Sequence, residues 1–436
     1  MRAMHWIAGA VAAIAFVAAA GVGLAEKPPL DARVGGVLVG DQSMDAIYLT
    51  RDLNGDGDAS DLNEAIVYYQ DPNGYTNDVD TIFQSTDGRI FYGDASADGV
   101  FWLHDLNHDC DAADPGEFGV WFNNDNAGGF TLTAPNGVWQ GDDGAVYIYN
   151  AGTTSTPVDA IYRTVDLNAD GDANDDGEAT LWMDVQNLMT SSAGFELVFM
   201  GNAAYWADSM GGGSDAVMRA KDEDGDGEIK ADEFNVFIDE SSGFGVGIFS
   251  ALATDGTSLY VIDLSGTPQV LFRLTDLNDS GTIDDASEVE AVWDETHLPA
   301  GYGFSSTFGI AIGPNREIMM TSNGSDTGDT DNLVRLVDFN GDGDYLDDGE
   351  TIIWATGNGD ATFVERARSV EYILSSPGDI NGDGVVDLAD LSILLASYNL
   401  CEGDAGYIVA ADLDGDGCVG LSDLSILLAN YGATCP

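Results

Sequence analysis

Short apolar runs of strand length recur along this chain in pairs, with a strongly acidic loop inside each pair. The runs before the loops read AIYLTR, GVFWLH, AIYRTV, AVMRAK, VLFRLT and NLVRLV. Those after them read EAIVYYQ, EFGVWFN, EATLWMD, EFNVFID, EVEAVWD and ETIIWAT. Their length and composition predict strands, so each acidic loop is expected at the tip of a β-hairpin. Between copies lie two more strand-like runs joined by tight turns, read at STDG 85–88, APNG 134–137, ATDG 253–256 and GPNR 313–316.

The loops begin at Asp52, Asp105, Asp166, Asp222, Asp276 and Asp338, at intervals of 53, 61, 56, 54 and 62 residues. Repeats of that size indicate a solenoid, an array or a propeller. Four strands per unit is the make-up of a propeller blade, whereas β-solenoid repeats are usually shorter. The first copy lacks its innermost strand, since VGGVLVG at 34–40 runs straight into the first hairpin. The last copy is followed by a surplus strand around FVERARSVEYIL at 363–374. Placing that strand in the first sheet completes six blades and removes the open edges. The expected fold is mainly β: a six-bladed β-propeller over residues 26–374, a linker at 375–378, and a small α-helical domain over 379–436.

Charge changes what those loops must be. The 436 residues include 76 acidic and 14 basic ones, a formal net charge of −62, while 44% are hydrophobic. That apolar share supports a core and excludes disorder. The charge excludes nucleic acid, whose phosphates would be repelled, and self-repulsion on this scale opposes compaction unless cations neutralise it. At the N-terminus, Arg2 and His5 precede an apolar stretch from Trp6 to Leu24, with Gly23 and Ala25 placed as small residues before a cleavage point. This predicts a secretory signal over 1–25 and an extracellular or cell-surface protein; an uncleaved anchor is the rival, and the stretch is barely long enough for one.

Five loops share one spacing, Asp at 1, Asn at 3, Asp at 10 and Glu at 13. They are Asp52, Asn54, Asp61, Glu64; Asp105, Asn107, Asp114, Glu117; Asp166, Asn168, Asp175, Glu178; Asp276, Asn278, Asp285, Glu288; and Asp338, Asn340, Asp347, Glu350. Position 5 is Asp56, Asp109, Asp170 and Asp342, with Ser280 in the fifth copy. The fourth copy instead matches a 12-residue EF-hand loop through Asp222, Asp224, Asp226, Gly227, Glu228 and Glu233. Oxygens at alternate positions converge if the backbone bends after position 5, and a glycine there in five copies permits the bend. Such a cage suits calcium. The competing reading is a solvated acidic turn, which six copies in register disfavour. Cys110 replaces the glycine in the second copy, the weakest of the set.

The loops are expected to be structural, on the face away from the connections between blades. Tyr68, Trp121, Trp182, Phe237, Trp293 and Trp354 follow them at nearly constant distance and are expected to pack blade on blade. Arg163, Arg219, Arg273 and Arg335 each lie three residues before a loop and are expected to pair with neighbouring loop carboxylates. A ligand would meet the opposite connections, at 71–80, 151–157 and 294–306, with Tyr75, His297 and Tyr302 as its contacts.

Beyond 378 come two related stretches, DINGDGVVDLADLSILLASYNL and DLDGDGCVGLSDLSILLANYG. Each is an acidic loop running into a leucine-rich helix. The pair resembles a type I dockerin. The resemblance implies calcium on Asp379, Asn381, Asp383, Asp387 and Asp390 with the Val385 carbonyl, and on Asp412, Asp414, Asp416 and Asp423 with Cys418 at the carbonyl position. Gly420 stands at position 9 of the second loop, so water completes that site. It also implies a cohesin partner, with Leu388 and Ala389, or Leu421 and Ser422, setting partner choice in either of two orientations. Unlike the common pattern, this stretch carries Cys401, Cys418 and Cys435, two of which are expected to form a disulfide; the third could pair with Cys110 or with another molecule.

The expected function is a secreted, calcium-stabilised binding or scaffold module held by a dockerin to a cohesin-bearing partner. The alternative is a polysaccharide-degrading hydrolase or lyase on a propeller. The chain has four histidines and no GxSxG or HExxH motif, though a carboxylate pair among its many acids could serve glycoside chemistry.

Overall fold

The protein is described here by a computed structural model covering residues 34–152, 159–189, 193–209, 215–247, 249–323, 331–357, 366–374, 378–381, 385–401, 403–413 and 417–433. The expected signal at 1–25 lies outside the described residues, as do Asp383, Asp414, Asp416, Cys435, positions 153–157 of one connection and linker positions 375–377.

Six four-stranded antiparallel sheets form the propeller. Blade 1 contains β1 (Val34–Asp41), β2 (Ala46–Thr50) and β3 (Ala65–Tyr69). Blade 2 is β4 (Val79–Gln84), β5 (Ile90–Asp94), β6 (Gly99–Leu103) and β7 (Phe118–Asn123). Blade 3 is β8 (Pro135–Gln140), β9 (Val146–Asn150), β10 (Ala160–Thr164) and β11 (Ala179–Met183), followed by the one-turn helix α1 (Val185–Leu188). Blade 4 is β12 (Gly194–Met200), β13 (Ala203–Asp208), β14 (Ala216–Lys221) and β15 (Phe234–Asp239). Blade 5 is β16 (Phe249–Thr254), β17 (Leu259–Asp263), β18 (Val270–Leu274) and β19 (Val289–Asp294). Blade 6 is β20 (Ile310–Ile312), β21 (Ile318–Ser322), β22 (Asn332–Leu336) and β23 (Thr351–Thr356).

The surplus strand β24 (Ala367–Leu374) closes the ring as the sequence pattern predicts. It pairs antiparallel with β1, Val37 opposite Tyr372 and Val39 opposite Val370, so blade 1 has the order β24-β1-β2-β3. One predicted turn is misplaced. APNG at 134–137 is the start of innermost strand β8, and the turn comes at 141–144. Proline is tolerated as the first residue of a strand, and the Asn150 side chain takes the amides of Thr133 and Ala134 just ahead of it.

Each apolar cluster of the propeller spans two blades, so its core is a ring of interfaces. At the closing interface Val37 and Val39 of blade 1 pack with Met319, Leu333 and Trp354 of blade 6. The acidic hairpins stitch the same interfaces. In every copy the eighth loop residue donates its amide to a carbonyl on the outer strand of the preceding blade: Ala59 to Trp354, Ala112 to Tyr68, Ala173 to Trp121, Ile229 to Trp182, Ile283 to Phe237 and Tyr345 to Val292. The side chains at these six positions are buried. The aromatics after the loops are buried too, and three bond across interfaces, Trp121 Nε1 to Thr164, Trp293 Nε1 to Thr351 and Trp354 Nε1 to Thr50.

The arginines do this work differently from expectation. Arg335 and Arg273 reach the backbone carbonyls of Gly57 and Gly343, in the loop of the next blade, at 3.2 and 2.9 Å. Their carboxylate partners, Glu317 and Glu290, lie within their own blades, and Arg163 pairs with Asp143 of its own blade. A loop bent around its own carboxylates turns carbonyls outward, so the neighbouring guanidinium finds an oxygen of the backbone.

After the propeller come α2 (Leu388–Ser397) and α3 (Leu421–Ala429). Val386 exchanges backbone hydrogen bonds with Gly432 and Ala433 beyond α3, and Val419 does the same with Asn399 and Leu400 beyond α2. The two halves are thus tied reciprocally over a core of Ile380, Val386, Leu394, Ala411, Val419 and Leu427. A disulfide joins Cys401 to Cys418. Cys110 is disulfide-bonded as well.

Candidate functional site

The propeller loops wind around their first aspartate. Asp52 accepts the amides of Gly55, Asp56 and Gly57, and Asp338 those of Gly341 and Gly343. The bend after position 5 requires a left-handed residue. Gly57 has φ 89°, and Cys110 takes the same conformation at φ 73° despite its side chain. The closing glutamate is buried and holds both ends of the loop: Glu64 accepts from Leu53 through one oxygen and from Asp61 through the other, and Glu350 does so from Phe339 and Asp347. Glu117, Glu178 and Glu288 repeat the arrangement. Burial pushes the Glu64 carboxyl up, opposed by those amides. Each oxygen retains a second lone pair for an ion.

Positions 3, 5 and 10 converge in four of the loops. The Asn54 amide reaches Asp56 and Asp61, Asn107 reaches Asp109 and Asp114, Asn168 reaches Asp170 and Asp175, and Asn340 reaches Asp342 and Asp347. The amide nitrogens stand among oxygens that suit a cation; turning each amide over would add its oxygen to the cage. The fifth loop departs from the pattern. Asp285 caps a single helical turn by accepting from Ser287, and Asp284 meets Asn278 instead, while Ser280 bonds Thr282. The fourth loop brings carboxylate oxygens of Asp222, Asp224 and Asp226 within 4.8 Å of one another. There Lys230, unnoticed in the sequence, puts its ammonium on Asp224 at 2.7 Å and on Asp226, and so holds the Asp226 carboxyl below its usual range. Glu228 is exposed and its amide bonds Asp226, while Glu233 closes the loop as the other glutamates do.

A second regularity was hidden among the acids. Position 2 of five loops carries a large exposed apolar residue, Leu53, Leu106, Leu167, Leu277 or Phe339, between 46% and 68% accessible. Its amide is fixed by the closing glutamate, so the side chain stands outward around the rim.

In the helical pair the twelfth loop residue plays the glutamate's part. Asp390 accepts from Ile380, Asn381 and Asp387, and Asp423 from Leu413 and Gly420. Asp387 caps α2 through the Ala389 amide, a role that Gly420 cannot fill for α3. Asp412 accepts from Gly417, while Asp379 is buried, and Val385 and Cys418 stand at the seventh position of their loops. The interior of each helix uses Leu394 or Leu427. Outward, Leu388 and Leu421 stand at equivalent positions, as do Leu395 and Leu428, all mostly exposed. Ala389 and Ser422 are exposed beside them. Arg51, buried next to the first propeller loop, lies near enough to Asp379 for their charges to interact.

The proposed ligand loops fare unevenly. Tyr75 stacks on Phe101 at 4.9 Å and lies 6.1 Å from Phe118, so it pins its connection to blade 2. Tyr75→Ala should therefore cost about 1–3 kcal/mol in urea unfolding, where a ligand contact on the surface would cost almost nothing. His297 contacts Asp294 at 3.1 Å, and Tyr302 is exposed. The structure does not bring Tyr75, His297 and Tyr302 into one described cavity.

Residues 377–430 match the dockerin type I domain family. No curated protein matches the chain. Among solved structures, a chain of the nidogen/laminin complex aligns with TM-score 0.50 and 12% identity, over 78% of this chain and 98% of that one. TolB from Acinetobacter baumannii aligns at 0.45 and 12% identity, over 78% and 67%. Selenomethionine-substituted virginiamycin B lyase from Staphylococcus aureus aligns at 0.39 and 16%, over 69% and 76%. At such identities the nidogen/laminin likeness speaks to the fold alone. The C-terminal module is thus a type I dockerin, a domain that binds calcium and cohesins and is generally found on extracellular or cell-surface proteins, and it follows a six-bladed propeller. No helix among the described residues is long and apolar enough to cross a membrane.

Proposed function

We propose that this protein is a secreted propeller module, stabilised by calcium in its hairpins and docked through its C-terminal domain onto a cohesin-bearing partner. The observation that carries the reading is the duplicated outward face of α2 and α3, where Leu388 and Leu421 stand exposed at equivalent places while Leu394 and Leu427 form the interior. Exposed leucines repeated by an internal symmetry fit an interface better than a solvated surface. The calcium loops below each helix fix that face: Asp390 and Asp423 hold the loop backbone at the helix start, and Asp379 and Asp412 open the two loops. An ion lost from a loop would release its helix.

The propeller supports the scaffold half of this reading. Its acidic hairpins are spent on blade-to-blade bonds rather than on a concave ligand pocket. Chain exit at β24 and the proximity of Arg51 to Asp379 set the dockerin on the side of the hairpins, leaving the connections of the other face for a ligand.

The test is capture by a panel of purified type I cohesin domains. Asp379→Ala with Asp412→Ala should abolish capture, and either alone should leave partial capture through the other half. Leu388→Asp with Leu421→Asp should abolish it with the melting temperature unchanged, since both side chains are already exposed. Full capture by both double variants would sink the reading.

A further inference from the structure

We propose that the axis of the propeller is a binding site for one divalent cation, held between Glu196 and Glu371. A cavity of about 60 Å³ lies there, lined by the innermost strands of all six blades, from Thr81 and Ile82 of β4 round to Ser369, Val370 and Glu371 of β24. Two carboxylates line it. Glu371 belongs to blade 1 and Glu196 to blade 4, half a turn apart in a ring of six, so they face each other across the axis.

Glu196 is placed there by a deliberate irregularity. Strand β12 skips register between Phe195 and Val198, a bulge that re-aims a side chain. Glu196 itself has φ 54°, a left-handed conformation costly for a residue with a Cβ. Blade 3 presses on the bulge: a Cβ on Gly137 would lie 2.7 Å from the Glu196 carbonyl carbon. Glu196 is partly buried and lines the axial cavity. Within the described residues it makes no hydrogen bond and no ion pair.

The nearby charges do not neutralise the pair. Asp80 adds a third carboxylate to the electrostatics of Glu196. Arg368, the adjacent cation, is engaged by Asp80 at 2.5 Å and lies 4.6 Å over the Phe308 ring. Glu371 accepts the Gln84 backbone amide. Burial pushes the Glu371 carboxyl up to about 8, and Glu196 well above its usual range. Carboxylates confined together away from bulk water cost stability unless something cationic joins them.

The chemistry selects the guest. Both side chains are hard oxygen donors, and they are supplemented by strand carbonyls and water, a set that suits calcium rather than a soft metal. Organic ligands occupy pockets of roughly 300–1,000 Å³, whereas the axial cavity has room for an ion and a little water. A wider cleft of about 530 Å³ shares Glu371 and is lined also by Gln84, Asp255, Arg316 and Tyr372. It gives the ion an entry path from the side of the β4–β5 and β20–β21 turns. An ion seated there would join the ring-closing strand to the opposite blade.

Calcium titration calorimetry on chelator-treated full-length protein tests the site, with terbium-soaked crystals as the second measurement. Glu196→Gln with Glu371→Gln should bind one equivalent less calcium than wild type and lose the anomalous peak on the propeller axis, while peaks in the hairpin loops persist. Equal stoichiometry in the two proteins would overturn the proposal, because it would mean that the carboxyls keep protons instead. If the double variant fails to fold, the wild-type crystals decide: a soak that fills hairpin loops and leaves no axial peak overturns it equally.

Discussion

Chelation of calcium from the intact protein is expected to lower its melting temperature by about 10 °C or more, with full recovery when calcium returns. The reasoning starts from linkage. An ion held only by the folded state adds about 2.7 kcal/mol at a hundredfold excess over its Kd, and four hairpins bring an asparagine and two carboxylates together. In a chain of this size 1 kcal/mol moves the melt by about 2 °C, so even partly filled loops add up. The effect should reach the whole ring, because each loop bonds the blade before it through its eighth residue. Two controls separate sites from simple screening of a net charge of −62. Magnesium, which demands a smaller octahedral cage, should rescue poorly. Concentrated sodium chloride, which screens charge without entering a cage, should rescue only in part. A melt unmoved by chelator would end the structural-calcium reading. Differential scanning calorimetry is the measurement, and the fourth hairpin should respond least, since Lys230 already bridges two of its carboxylates.

Replacing Trp354 is expected to have the largest effect of any single substitution in the propeller. Its side chain is fully buried at the interface where the ring closes. Its Nε1 donates to Thr50 of blade 1 at 2.9 Å, its carbonyl accepts from Ala59 of the first loop at 2.8 Å, and the Arg335 guanidinium lies 5.6 Å from its ring. Trp354→Ala removes the packing and leaves a cavity, which costs about 3–5 kcal/mol for a buried aromatic. Trp354→Phe keeps most of the volume and loses the hydrogen bond, a cost of about 1 kcal/mol. Because β24 and β1 pair on the other side of this seam, the alanine variant should also become sensitive to protease near both ends of the propeller. Urea unfolding gives the magnitudes. An alanine variant no less stable than an exposed control such as Leu62→Ala would mean that closure rests on β24 alone.

The repeat itself was readable from sequence because each element is local. Apolar runs of strand length flank every acidic loop, and a loop wound around its own first aspartate needs no distant partner. The count of six blades and the transfer of β24 into the first sheet followed from one missing and one surplus strand. The dockerin was equally local, two loops each running into its own helix. The errors fall where a side chain chooses among neighbours that sequence does not rank. Tyr75 sits in a polar connection yet stacks on Phe101 of the next blade. Arg273 and Arg335 stand among carboxylates yet bond backbone carbonyls across an interface. Glu196 shows the limit most clearly. In the sequence it is one acid among 76, inside an apolar run. Only the closing of six blades about a common axis, together with a bulge at Phe195–Val198, brings it opposite Glu371 from a strand 175 positions away in a chain of 436. Hairpins are set by short-range geometry, which the order of residues specifies; the axis exists only when the ring is complete, and what faces it is decided by the fold.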